Sequence, residues 1–361
     1  MQPETALLWW TLNVLTLKRY EALKQVYGDL DAALKALSPA MLKELGLKQD
    51  AIEAAFVRLE EFDAAQYLRE MQKHGVELLT IEDEAYPAAL KEIGDPPLFL
   101  SYRGDIALFH QPLIGCVGTR AMSPYGKRTV EAFIPALVRA GLTTVSGLAL
   151  GIDALVAKET IRAGGRTIAV LGNGLGSIYP ASNARLAEDI VQGGGLILSE
   201  FPLDMPPGKF TFPARNRIIA GLSTGTIVFE APDASGSIIT ADLALEYNRD
   251  VFAVPGTIFD PNFAGCHRLI AKGQARLVTR PEDVLEELGV LAPAESPVSA
   301  VQKTPEEQHI YDILTTMPQS VDKLIERAKR PMSDVSSTLT MLELAGSAKK
   351  VGAGEWVRAE R

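Results

Sequence analysis

Between Leu113 and Leu288 short apolar runs alternate with helical stretches, and no other feature of the chain constrains its fold as tightly. The runs are Leu113 to Val117, Thr143 to Val145, Thr167 to Leu171, Leu196 to Leu198, Thr226 to Phe229 and Val251 to Val254. Each is too short for a helix and apolar enough to be covered on both faces, the pattern of strands in a parallel sheet. Stretches of about ten to fifteen residues separate them, the length of right-handed βαβ crossovers. The predicted fold class is α/β, a doubly wound parallel sheet of Rossmann-like form.

The flanks read differently. Residues 1–68 are helical throughout, with Gly28 and Gly46 as punctuation and Ser38-Pro39 supplying a cap and a first-turn proline. They predict a small all-α, SAM-like module for packing or interaction, because Leu45-Gly46-Leu47 lacks the paired glycines of a DNA-clamping hairpin. From Gly75 the texture changes, and Val76 to Ile81 and Leu98 to Tyr102 are strand-like, so the central domain is placed at 69–289. Residues 290–304 are rich in Ala, Pro, Ser and Val without period, which predicts a linker. Residues 305–361 offer helices over Pro305 to Thr316, Val321 to Ala328 and Ser333 to Leu344, then a hairpin around Gly352-Ala353-Gly354. That order predicts a winged helix. Its third helix is poor in Arg and Lys, which leaves DNA contact and protein contact both open.

A net charge of −9 argues against a protein that coats nucleic acid with a basic surface. It does not exclude a local positive crevice, since charges farther apart than about 8 Å are screened at physiological salt. No apolar run approaches the roughly 20 residues of a membrane span, and the start lacks the basic region of a secretory leader. A cytoplasmic protein without membrane insertion is expected. Cys116, inside a strand, and Cys266, read as lying in a loop, are too far apart in sequence to suggest a disulfide framework or zinc site.

In an open parallel sheet ligands sit beyond the carboxyl ends of the strands. Here those ends read Gly118-Thr119-Arg120, Ser146-Gly147 through Gly151-Ile152-Asp153, Gly172-Asn173-Gly174, Ser235-Gly236-Ser237 and Pro255-Gly256-Thr257. Several helix N-termini aimed at one crevice would form an anion site. After the strand at Leu196 comes Lys209-Phe210-Thr211-Phe212-Pro213-Ala214-Arg215-Asn216-Arg217, two rings among three cations and an amide. A cation, a stacking ring and a guanidinium fork in sequence suit a single nucleic-acid strand. Asp153, Glu200 and Glu230, near the same strand ends, read as partners of Arg120, Arg215 or Arg217 more readily than as acids or bases. No Walker sequence is present, because Gly126-Lys127 is followed by Arg128 and lacks the earlier glycine. The four histidines show no metal-ligand spacing, so no metal, cofactor or catalytic residue is expected.

These motifs, with Phe212 to Ile219, Ser235 to Ala241 and Val254-Pro255-Gly256, resemble the DprA/Smf family of DNA-processing proteins over nearly the whole chain. The resemblance implies an extended Rossmann-like domain that binds single-stranded DNA, usually as a homodimer, and hands it to the RecA recombinase during natural transformation. It implies no catalysis. Arg120 and Lys209 would hold phosphates and Phe212 would meet a base. Gly118, Thr119, Ser146, Gly147, Asn173, Arg215, Asn216, Arg217, Ser235, Gly236 and Ser237 would form the rest of the site. One departure is Cys266-His267-Arg268, where the family commonly has asparagine in place of His267. Competing readings are a phosphoribohydrolase, whose Pro-Gly-Gly-x-Gly-Thr-x-x-Glu motif Pro255-Gly256-Thr257 does not extend into, and an adaptor built on the flanking modules.

Overall fold

In the computed structural model, which describes residues 1–290, 303–352 and 354–359, the alternating runs assemble into one sheet of nine strands. They are β1 (Glu77–Thr80), β2 (Phe99–Gly104), β3 (Leu113–Val117), β4 (Thr143–Ser146), β5 (Thr167–Val170), β6 (Leu196–Ser199), β7 (Gly225–Val228), β8 (Asp250–Ala253) and β9 (Arg276–Leu277). Their spatial order is β1-β2-β6-β5-β4-β3-β7-β8-β9. Every pair from β6 to β9 is parallel, while β2 joins β6, and β1 joins β2, in antiparallel register. The chain winds outward from β3 through β6, then returns to the other side of β3 with β7. The strand direction of travel thus reverses between β3 and β7, and the crevice opens there.

Both faces of the sheet are covered because the strand side chains alternate between them. Leu113, Val117 and Val145 enter a core shared with the helices Thr211–Leu222 and Gly236–Glu246. Ile114 and Cys116 enter another, shared with Pro124–Arg139 and Ile152–Arg162. Cys266, expected in a loop, lies instead in the helix Ala264–Ala271, fully buried. Gly265 beside it serves close packing: its N–H donates to Ala231 O at 2.9 Å, and a Cβ there would sit 2.7 Å from Ile238 Cδ1.

Six helices precede the sheet, Pro3–Leu12, Leu17–Tyr27, Leu30–Lys35, Pro39–Glu44, Gln49–Glu61 and Ala64–His74. The last runs across residue 68. Ser38 accepts from Met41 N–H at 3.3 Å, and Gly28 and Gly75 end their helices at positive φ. Trp9, Trp10, Leu23 and Leu42 share one core with Leu171, Leu175, Ile190 and Leu203 of the sheet region. Trp10 Nε1 donates to Glu200 O at 3.0 Å, and Tyr67 Oη accepts from Leu203 N–H at 2.9 Å. The helices and the sheet accordingly form a single compact unit, Met1–Ala292.

The second unit, Pro293–Arg361, contains the helices Pro305–Ile313, Val321–Ala328 and Met332–Leu344. Its antiparallel sheet has the order β10 (Gln319–Ser320), β12 (Glu355–Arg358), β11 (Ala348–Lys350), a winged helix around Ile310, Leu324, Leu339 and Trp356. The short β10 was not among the sequence expectations. Most of the expected linker, residues 291–302, lies outside the described residues, as does Ala353 of the hairpin turn.

Candidate nucleic-acid interface

Four helices begin at the carboxyl edge of the sheet, after β3, β4, β6 and β7, and first-turn residues of the last three, Asp153, Phe212 and Gly236, line the switch-point crevice. Two are capped by serines: Ser123 Oγ accepts from Gly126 N–H at 3.0 Å and Ser235 Oγ from Ser237 N–H at 3.2 Å. Close approach of the β3 and β4 loops requires glycine. A Cβ on Gly118 would lie 2.5 Å from Ile152 Cγ1, and Gly151 holds φ +78° where its Cβ direction is blocked by the Thr119 carbonyl. Ile152 N–H donates to Thr119 O at 3.1 Å and Thr119 N–H to Glu230 O at 2.7 Å, so β3, β4 and β7 ends are tied together.

The crevice, of about 390 Å³, is lined by Gly118, Thr119, Arg120, Phe212, Arg215, Asn216 and the Ser235-Gly236-Ser237 turn. Arg120 is exposed, and its Cζ sits 5.1 Å from the centroid of the Phe212 ring. Phe212 also meets Tyr179, with centroids 5.8 Å apart and planes inclined by 39°. A smaller hollow, lined by Arg120, Gly147, Tyr179, Phe212 and Arg215, opens there. Tyr179 was not among the expected site residues. Its available signal was an aromatic before proline at the end of a glycine-rich strand loop.

The other two arginines are held from within. Arg215 is 4% exposed and donates to Gly147 O at 2.6 Å, to Val170 O and to Asn216 Oδ1 at 3.1 Å. Asp153, buried beside it, accepts from Gly147 N–H at 3.1 Å. Burial pushes the Asp153 carboxyl above its ordinary pKa against the opposing pull of Arg215. Burial also lowers the Arg215 guanidinium to about 10, against the pull of Asp153. Arg217 is turned to Glu200, 2.5 Å away, and to Asp95 at 3.5 Å. Glu200, raised by burial, is partly restored by that pairing. Glu230 pairs with no arginine; it accepts from the N–H and hydroxyl of Ser123 at 3.0 Å.

The remaining expected residues fall around this frame. Asn216 Nδ2 donates to Gly236 O at 3.1 Å and fixes the serine turn. Ser146 is buried with its hydroxyl on Cys116 O at 2.7 Å. Asn173 is buried, its amide on Gly174 O and Ser177 O. Lys209 is exposed on the loop entering the Thr211–Leu222 helix, beside Phe210, which is 89% exposed. His267 Nε2 lies 3.0 Å from Gly256 O, and Arg268 is bound to Asp233 at 2.5 Å. No carboxylate among the described residues forms an ion pair with Arg120. It is the exposed cation of the crevice whose charge is left for a ligand.

A doubly wound sheet with a cationic, aromatic-walled crevice at its switch point, preceded by packed helices and followed by a winged helix, defines a Rossmann-like protein with a winged-helix unit. The family described as DNA recombination-mediator protein A matches residues 77–289, and the DprA winged helix domain matches 293–354. The chain is 42% identical over 293 residues to Protein Smf of Escherichia coli (strain K12), covering 79% of this chain and 78% of that protein. It is 47% identical over 227 residues to DNA processing protein DprA of Streptococcus pneumoniae (strain ATCC BAA-255 / R6), covering 63% and 79%. The X-ray structure of DprA from Streptococcus pneumoniae superposes with TM-score 0.66 at 40% identity, covering 79% of this chain and 95% of that one. A DNA processing protein A from Helicobacter pylori, described for its single-stranded DNA binding mode, superposes with TM-score 0.53 at 33% identity, over 59% and 95%. The chain belongs to the DprA/Smf family of DNA-processing proteins.

Proposed function

We propose that the protein binds single-stranded DNA in the switch-point crevice without cleaving it, protects the strand, and delivers it to RecA as a homodimer in the cytoplasm. The observation that carries this reading is the cluster of Arg120, Phe212 and Tyr179, in which a guanidinium with no carboxylate partner lies over one ring, a second ring meets that ring, and all three line one hollow. Such a cluster offers a phosphate contact beside stacking faces, and the helix first turns that line the crevice add positive potential. The binding mode described for the Helicobacter pylori relative supports the same ligand. Delivery to RecA and the homodimer rest on the family resemblance. The carboxylates near the crevice are engaged by the Gly147 N–H, Arg217 and Ser123, which weighs against the phosphoribohydrolase reading.

The test is a salt titration of oligonucleotide binding. Arg120→Ala is expected to weaken binding and to reduce the slope of log K against log salt by about 0.7, the value for one single-strand phosphate contact. Equal affinity and equal slope for the two proteins would remove Arg120 from the interface.

A further inference from the structure

A larger groove, of about 640 Å³, lies between the N-terminal helices and Pro202–Pro206, part of the loop that leads into Phe212. Its floor is apolar and fixed. Tyr67 packs edge-on against Trp10 with centroids 5.9 Å apart, lies 5.9 Å from Phe62, and accepts the Leu203 N–H. Leu203 and Met205 complete the floor. The Leu203 N–H bond holds this loop to the helices, while Gly174 N–H donating to Met205 O and Gly176 N–H to Leu203 O, both at 2.9 Å, hold it to the loop after β5.

The rim is acidic. Glu61, Asp63, Glu70 and Asp204 line it, against a single arginine, Arg58, whose guanidinium already donates to Leu12 O at 3.0 Å. Glu70 pairs with Lys73 and Asp63 caps its own helix, whereas Glu61 and Asp204 are exposed and pair with nothing among the described residues. A carboxylate rim repels phosphate, so a DNA strand leaving the crevice would be turned away from this groove. Aromatic walls with a flanking negative rim complement a different ligand, an extended segment with one apolar anchor between lysines or arginines. We infer that the groove docks such a basic, apolar-anchored peptide segment of a protein partner.

The groove is tested with a random peptide library displayed on phage and panned on the full chain. Peptides selected by the wild type are expected to combine an aromatic or long aliphatic residue with at least two Lys or Arg. Their synthetic forms should bind about tenfold or more weakly to the Glu61→Lys/Asp204→Lys variant, with the milder Glu61→Gln/Asp204→Asn variant in between. Both variants change exposed, unpaired side chains, so melting temperature and oligonucleotide affinity should stay at wild-type values, which separates this inference from the proposed DNA site. The inference is overturned by the absence of any consensus, by an acidic or uncharged consensus, or by a basic consensus indifferent to both variants.

Discussion

Arg215→Ala removes a guanidinium that is 4% exposed and donates to Gly147 O, Val170 O and Asn216 Oδ1. Truncation leaves two carbonyls and an amide oxygen without this donor and leaves the Asp153 carboxylate in a buried site without its countercharge. Leaving buried acceptors without their charged donor costs about 1–3 kcal/mol each, so about 3–5 kcal/mol in all is expected. In a unit of this size 1 kcal/mol moves the midpoint by about 2–4 °C, so the melting temperature should fall by roughly 10 °C. The loss should also depend on pH. Burial raises the Asp153 carboxyl and Arg215 opposes that rise, so without the arginine the folded-state value climbs further. A carboxylate with a raised folded pKa contributes stability that is fully present below its unfolded value and lost as pH rises through the folded value. The deficit of Arg215→Ala is therefore smallest in acid, near the unfolded carboxyl value of about 4, and grows toward neutral pH. Thermal melts from pH 4 to 8 on wild type, Arg215→Ala, Asp153→Asn and the double variant measure it, and Asp153→Asn should recover part of the loss in the Arg215→Ala background. If Arg215→Ala melts with the wild type at every pH while oligonucleotide affinity collapses, the residue is a DNA ligand and not a strut.

Arg217→Ala strands Glu200 beside Asp95 and should destabilise by about 3 kcal/mol in urea, with oligonucleotide affinity retained wherever the chain is folded. Tyr179→Ala should do the reverse: an unchanged melting temperature, because the ring is 45% exposed, and about tenfold weaker oligonucleotide binding from one lost stacking face. Gly118→Ala places a methyl 2.5 Å from Ile152 Cγ1 and should lower stability by about 1–3 kcal/mol, read from the urea midpoint at constant slope.

The doubly wound sheet was legible because strand burial on both faces writes itself as short apolar runs, and crossover helices set their spacing. The winged-helix order was legible for a similar local reason, with helix caps such as Thr304 against Glu307 visible in the chain. Antiparallel β1 and β2 were less so, since a strand of four or six residues does not encode the direction of its partner. The packing of the six N-terminal helices onto the sheet was also hidden: Trp10 and Tyr67 reach Glu200 and Leu203, 190 and 136 residues away in sequence.

At the site, the sequence by itself determined which segments meet, because strand ends, glycine turns and helix caps are local and lie at one edge of a parallel sheet, but not which of their residues line the crevice: Ser146, Asn173, Lys209 and Arg217 do not. It could not decide which cation is free. Arg120, Arg215 and Arg217 are equivalent as residue types, and their fates depend on burial and on acids brought in by other elements. Asp153, in the first turn of the helix after β4, acts on Arg215 through its field, Glu200 and Asp95 pair with Arg217, and Arg120 is left uncovered over Phe212. That division follows from the tertiary arrangement alone, since the energy of a charge is set by its solvent exposure and its neighbours in space.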